Sequence, residues 1–115
     1  MARILLVEDE PDIGEVLDMA LSGEGYIVDL VTTATEALSR LRAIKYELVI
    51  SDWRLPDGGD GMLVVGKAAD LGSKTMVMSG YLFQLGEPDK RHEYLMKPLR
   101  PSELVKAVKQ MIGPP

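Results

Sequence analysis

Cysteine is absent from this chain of 115 residues, and that removes several chemistries at once. Disulfides, thiolate nucleophiles and cysteine metal sites are excluded, and a cytoplasmic location is the default expectation. Basic tracts are missing as well, the longest being the pair Lys90-Arg91. With 13 basic residues against 18 acidic ones the net charge is −5, which argues against nucleic acid or an anionic membrane as a direct partner. No apolar stretch approaches the ~20 residues that a membrane span needs. Met1-Ala2-Arg3 leads straight into an apolar run, which leaves no room for a signal peptide. The length and the 46% hydrophobic content suit one globular domain over residues 1–115.

Two apolar runs end in acid. Ile4-Leu5-Leu6-Val7 runs into Glu8-Asp9-Glu10, and Leu48-Val49-Ile50-Ser51 runs into Asp52. Short runs of branched apolar residues read as strands buried on both faces, as in parallel sheets. The carboxyl ends of such strands carry the ligand site. Three carboxylates gathered there repel one another unless a hard cation lies among them, and Mg²⁺ takes oxygen ligands.

Strand and helix patterns alternate five times along the chain. The first strand is Ile4 to Val7. A helix follows from Pro11 to about Ser22, apolar at Ile13, Val16, Leu17, Ala20 and Leu21 and ended by Gly23 and Gly25. Tyr26 to Val31 reads as the second strand, with Ile27 and Val31 facing inward. Thr33 and Glu36 have the spacing of a capping box for the next helix. After the third strand, Leu48 to Ser51, the run from Pro56 to Gly61 is a turn, and a helix spans about Met62 to Leu71. Thr75 to Ser79 is the fourth strand. The segment from Tyr81 to Arg91 is a poor helix: Gly86 and Pro88 interrupt it, which predicts a short, irregular or mobile fourth helix. Tyr94 to Met96 is a fifth strand. A final helix, capped by Ser102 or its neighbours, buries Leu104, Val105, Val108, Met111 and Ile112. Right-handed crossovers place helices on both faces, giving a (βα)5 flavodoxin-like, doubly wound sheet of order 2-1-3-4-5.

Four strand ends of this sheet carry polar residues: Glu8 and Asp9, Asp52, Ser79, and Lys97. Singly, each has an ordinary explanation, such as a helix cap, a turn serine or a surface lysine. Together at one edge they match phosphoryl transfer. A carboxylate can accept a phosphoryl group as an acyl phosphate, a cation and a lysine neutralise its oxygens, and a hydroxyl donates to it.

With these motifs in order, the whole chain resembles the receiver domain of two-component response regulators, of the chemotaxis-regulator type. The resemblance is carried by Leu5-Leu6-Val7-Glu8-Asp9, Asp52-Trp53-Arg54-Leu55-Pro56, Met78-Ser79-Gly80-Tyr81 and Tyr94-Leu95-Met96-Lys97-Pro98. It implies that Asp52 is the phosphoacceptor. It implies that Asp9, Asp52 and the Arg54 main-chain carbonyl bind Mg²⁺ (Mn²⁺ as a substitute) directly, and Glu8 through water. Lys97 would pair with the phosphoryl group, Ser79 would move toward it, and Tyr94 would turn inward as the aromatic switch. The peptide before Pro98 would be cis. Arg54 and Tyr81, both large, would flank the water path and slow autodephosphorylation.

The resemblance also implies partners. A histidine kinase or a phosphotransfer protein would supply the phosphoryl group, and helix one would help to select it. A downstream protein target would read the face built around the fourth helix, fifth strand and final helix. A homodimer formed on phosphorylation stays open. Beyond catalysing its own phosphorylation and slow dephosphorylation, no conventional enzyme activity is expected. Against the family pattern, the loop after Pro56 is one residue longer and the span from Ser79 to Tyr94 is shorter by about one helical turn.

Three rival readings are weaker. A phosphatase of the haloacid dehalogenase type needs a second acid two residues past its nucleophile, where this chain has Arg54. A flavin site needs a phosphate loop after the first strand, where acids would repel the anion. A receiver-like module that binds partners without phosphorylation does not use the complete acid, hydroxyl and lysine set.

Overall fold

The computed structural model describes residues 2–55, 60–80 and 89–115. Five strands form one parallel sheet in the order β2-β1-β3-β4-β5. They are β1 (Arg3–Val7), β2 (Ile27–Val31), β3 (Leu48–Asp52), β4 (Lys74–Ser79) and β5 (Glu93–Met96). Among the described residues there are four helices: α1 (Pro11–Glu24), α2 (Ala34–Ala43), α3 (Gly61–Asp70) and α4 (Pro101–Ile112). None is long and apolar enough to cross a membrane. This is the doubly wound arrangement that the sequence pattern calls for.

Alternation along the central strands explains the two cores. Ile4, Leu6, Leu48, Ile50, Met76 and Met78 point to one face and pack on Leu17 and Leu21 of α1 and Leu104 and Val108 of α4. Leu5, Val7 and Val49 point to the other face and meet Ala37 and Leu41 of α2 and Val64 and Ala68 of α3. Both faces of β1 and β3 are therefore dry, which is why those strands are apolar at consecutive positions.

Several expected boundaries shift. Gly23 does not end α1; the helix runs on to Glu24 and stops at Gly25, whose φ of 111° lies in the left-handed region. Pro101, rather than Ser102, opens α4, with Arg100 at the cap position. Ile27 shares the face of the buried Val31 but is not itself covered, being 38% exposed. It begins an edge strand, and the polar Asp29 on the same face takes the Tyr46 hydroxyl and Arg3, so the apolar core stops short of Ile27. Tyr26 lies outside β2; it is buried, and its hydroxyl donates to the Gly113 carbonyl. Of the expected fourth helix, residues 81–88 lie outside the described residues. Asp89 to His92 form a turn closed by the His92 amide on the Asp89 carbonyl at 3.2 Å.

Candidate functional site

The parallel register brings the strand ends level. Val7 pairs with Ser51, Asp52 with Met78, and Ser79 with Met96. The residues that follow therefore emerge along one edge. The Glu8 amide donates to the Val31 carbonyl at 3.1 Å, which carries β1 one step further and seats Glu8 with no exposed surface. The acids here are not spent on capping: Glu10 occupies the cap position of α1 and its side chain makes no capping bond.

Glu8, Asp9 and Asp52 each offer an oxygen within 4.8 Å of the others. Lys97 reaches in from the end of β5, with Nζ 2.8 Å from Glu8 Oε1 and 2.5 Å from Asp52 Oδ1. The backbone helps: the Asp9 amide lies 3.4 Å from Asp52 Oδ2 and the Glu10 amide 3.3 Å from Glu8 Oε2. One lysine faces three carboxylates, so negative charge is in excess where water is scarce.

The titration behaviour follows. Burial pushes Asp52 up to about 9, reinforced by Glu8 and Asp9 and opposed by Lys97. Burial also acts to raise Asp9, but its hydrogen bonds with Asp52 and Glu8 leave it below the usual carboxylate range. Burial acts to lower Lys97, and the bonds to Asp52 and Glu8 raise it instead. Asp52 Oδ1 is buried, and the positive group that meets it there is the Lys97 ammonium. Three carboxylates sharing one lysine make an all-oxygen cluster with surplus negative charge, which fits a small hard cation such as Mg²⁺.

A cleft of about 240 Å³ opens over this cluster, lined among others by Asp9, Asp52, Arg54, Ser79 and Lys97. Ser79 ends β4 in a buried position, and its carbonyl accepts from the Lys97 amide at 2.9 Å. The Lys97–Pro98 peptide is cis. Arg54 is exposed, with its guanidinium 4.8 Å from the centre of the Trp53 ring. Tyr94 stands apart from this group: it is half-buried and its hydroxyl donates to the Asp89 carbonyl at 2.9 Å. Tyr81 lies outside the described residues.

Gly61 is a site residue that the sequence pattern showed only as part of a turn. A Cβ on it would sit 1.7 Å from the Asp52 carbonyl oxygen and 2.9 Å from that of Trp53. Its amide donates to the Trp53 carbonyl at 2.8 Å, so α3 starts hard against the backbone of Asp52. Asp60 caps that helix, its side chain accepting from the Met62 amide at 2.7 Å. The signal available was the glycine directly before the helix, but nothing in the sequence says which backbone it touches.

The family model described as the response regulator receiver domain matches residues 4–109. The chain belongs to that family. This receiver domain is 39% identical over 113 residues to the response regulator RppA of Synechocystis sp., covering 90% of this chain and 47% of RppA. It spans about half the length of the first curated relatives it matches. Among solved structures, the response regulator TrrA of Thermotoga maritima, crystallised in complex with Mg(2+)-BeF, superposes with a TM-score of 0.85 at 33% identity, covering 97% of this chain and 100% of TrrA. The receiver domain of the hybrid histidine kinase CckA superposes with a TM-score of 0.80 at 32% identity, covering 96% of this chain and 99% of that one. The chain is therefore a receiver domain of two-component response regulators, and its acidic cluster fits Mg²⁺.

Proposed function

We propose that this receiver domain takes a phosphoryl group onto Asp52 and passes the event to a protein partner. The observation that carries the reading is Lys97 Nζ lying 2.5 Å from Asp52 Oδ1 at a buried strand end, beside Ser79 in the same cleft. An Asp52 oxygen forms the new bond to phosphorus as the bond to the donor's leaving atom breaks, and the donor leaves with the electron pair. Lys97 pairs with the arriving phosphoryl oxygens, and Ser79 supplies a hydroxyl donor to them. Glu8, Asp9, Asp52 and the Arg54 main-chain carbonyl would hold Mg²⁺ (or Mn²⁺), which when bound neutralises charge on the carboxylates and on the transferred group. The Mg(2+)-BeF complex of TrrA supports that assignment by likeness.

The donor is a histidine kinase or a phosphotransfer protein. Next to Lys97 lies an apolar groove of about 580 Å³ between α1 and the stretch from Pro98 to Pro101, lined by Ile13, Val16 and Leu17. Ile13, Val16 and Met19 are exposed on α1, which suits a helical partner laid against it. On the output side, Ser79 and Tyr94 carry the change to the downstream target. Arg54, one of the residues lining the cleft, restricts the path of hydrolytic water, so Arg54→Asn is expected to lose its acyl phosphate faster than the parent chain. Equal loss rates would remove Arg54 from that role. Tyr81 is assigned the same role by family likeness.

The test is incubation with acetyl phosphate, with and without Mg²⁺, followed by intact mass. The expected result is a gain of one phosphoryl group that needs Mg²⁺ and disappears in Asp52→Asn. No gain in the parent chain would defeat the reading in favour of a binding module, and rapid turnover of unrelated phosphate esters would favour a phosphatase.

A further inference from the structure

His92 is the single histidine of the chain. It sits in the turn that enters β5, and its side chain is only 1% exposed. Its Nδ1 makes a very short contact with Thr75 Oγ1 of β4. Its Nε2 lies 3.5 Å from Asp89 Oδ2. A neutral imidazole has one N–H. Leaving Nε2 bare would set two acceptors face to face, so the neutral ring keeps its hydrogen on Nε2, and Nδ1 accepts from the Thr75 hydroxyl. That hydroxyl has a second acceptor within reach, the Arg91 carbonyl at 3.3 Å.

A second proton changes the pattern. Nδ1 becomes a donor, and Thr75 has to turn its hydrogen to Arg91. The imidazolium is then a cation in a closed pocket, where charge is costly unless it is paired. Asp89 is a weak partner because Arg91 already holds it, through Nη2 at 3.0 Å, Nε at 3.1 Å and its amide at 2.9 Å. Arg91 also binds Asp70 of α3 at 3.1 Å. From β4, Thr75 brings no charge, and Lys74 sends its ammonium to the Met111 carbonyl. Tyr94 offers its ring edge-on with centroids 6.4 Å apart. Burial, with Arg91 cancelling much of Asp89, thus holds His92 below its ordinary value.

Asp89 also links the ring to β5, since its carbonyl accepts both the His92 amide and the Tyr94 hydroxyl. We propose that His92 is a proton-operated latch on the head of β5. When neutral, it locks the Asp89–His92 turn to Thr75; when protonated, it leaves its pocket and frees the turn, together with the Asp89 carbonyl that holds Tyr94. Any state in which the ring reaches water titrates near the ordinary histidine value of about 6.5, so acid draws population toward it. The latch itself stands on this geometry. Only its bearing on the Tyr94 switch rests on the function proposed above.

Because His92 is the one histidine, its imidazole resonance can be followed by NMR in the whole chain without ambiguity. Between pH 5 and 8 the expected midpoint lies below 6.5, and the amides of Thr75, Arg91 and Tyr94 titrate with the same midpoint. Arg91→Gln should raise the midpoint by freeing Asp89, and Asp89→Asn should lower it. His92→Gln should make the three amides independent of pH; if that variant does not fold, the Arg91→Gln shift decides alone. A ring midpoint at or above 6.5, amides that do not follow the ring, or an Arg91→Gln midpoint that stays or falls would each overturn the latch. Acetyl phosphate labelling separates the two ideas: a labelled chain with flat amides loses only the latch, and an unlabelled chain with titrating amides loses only the phosphoacceptor reading.

Discussion

Two aspartates in neighbouring parts of the sheet have opposite fates. Asp29, in the middle of edge strand β2, accepts from the Tyr46 hydroxyl at 2.7 Å and from Arg3 Nε at 3.2 Å. Burial acts to raise it, but those two donors hold it below the ordinary carboxylate range, and burial with Asp29 beside it drives the Tyr46 phenol upward. Tyr46 is itself tied in, its carbonyl accepting from Ser73 Oγ at 2.7 Å. Asp52, at the end of β3, has two acids for company and shares one lysine with Glu8, and it is pushed up to about 9. The Asp29 network is complete and serves the fold. The Asp52 cluster is incomplete, and its surplus of acceptors and charge is what a cation and a phosphoryl group would use.

The contrast breaks most visibly with Asp52→Asn. Phosphoryl gain by intact mass should vanish altogether. In the presence of a chelator the folded state should be no weaker, and by denaturant unfolding stronger by about 1 kcal/mol, because one of three crowded acids is gone. A loss of stability there would mean that Asp52 is a structural acid like Asp29. Gly61→Ala comes next. Its methyl group would drive into the Asp52 carbonyl, so the free energy of unfolding should fall by ~3 kcal/mol or more, with labelling slowed in the folded fraction. Full stability and unchanged labelling would show that α3 does not brace Asp52.

Adding Mg²⁺ should raise the stability of the parent chain by ~2.7 kcal/mol at a hundred times its dissociation constant. That gain should shrink in Asp52→Asn and survive in Asp29→Ala. Equal gains in both variants would place the metal elsewhere. Asp29→Ala should cost ~1–3 kcal/mol by leaving the buried Tyr46 hydroxyl without its acceptor, while labelling stays at the parent level. The smallest effect is on pH. Because the folded Asp29 lies lower than the unfolded one, its contribution is full above the ordinary carboxylate pKa and is lost as pH falls through the folded value. Urea midpoints of the parent and Asp29→Asn should therefore differ at neutral pH and converge in acid.

The fold was legible because burial on both faces wrote consecutive apolar residues into β1 and β3, and glycines and prolines marked the joints. The acids, Ser79 and Lys97 were legible as a group because strands in register must place their ends together. What escaped depends on neighbours distant in the chain. Ile27 looked like a core residue because its strand does not reveal that Arg3 and Tyr46 gather on Asp29 and make that end of the face polar. Gly23 and Gly25 are equivalent as composition, yet only Gly25 takes the left-handed turn. His92 showed no signal at all, since its burial depends on Thr75 of β4, 17 residues earlier in the chain.

The close seat of Gly61 against Asp52 has a mechanical consequence. With the first turn of α3 pressed on that carbonyl, the β3 rim of the cleft is an anvil that would not recoil under the phosphoryl group proposed above. The opposite rim is built from strand ends: Ser79 closes β4 and pairs with Met96 of β5, and its carbonyl accepts from the Lys97 amide. Any displacement that the proposed group demands would then be directed sideways, toward the last strand, rather than down into the body of the sheet.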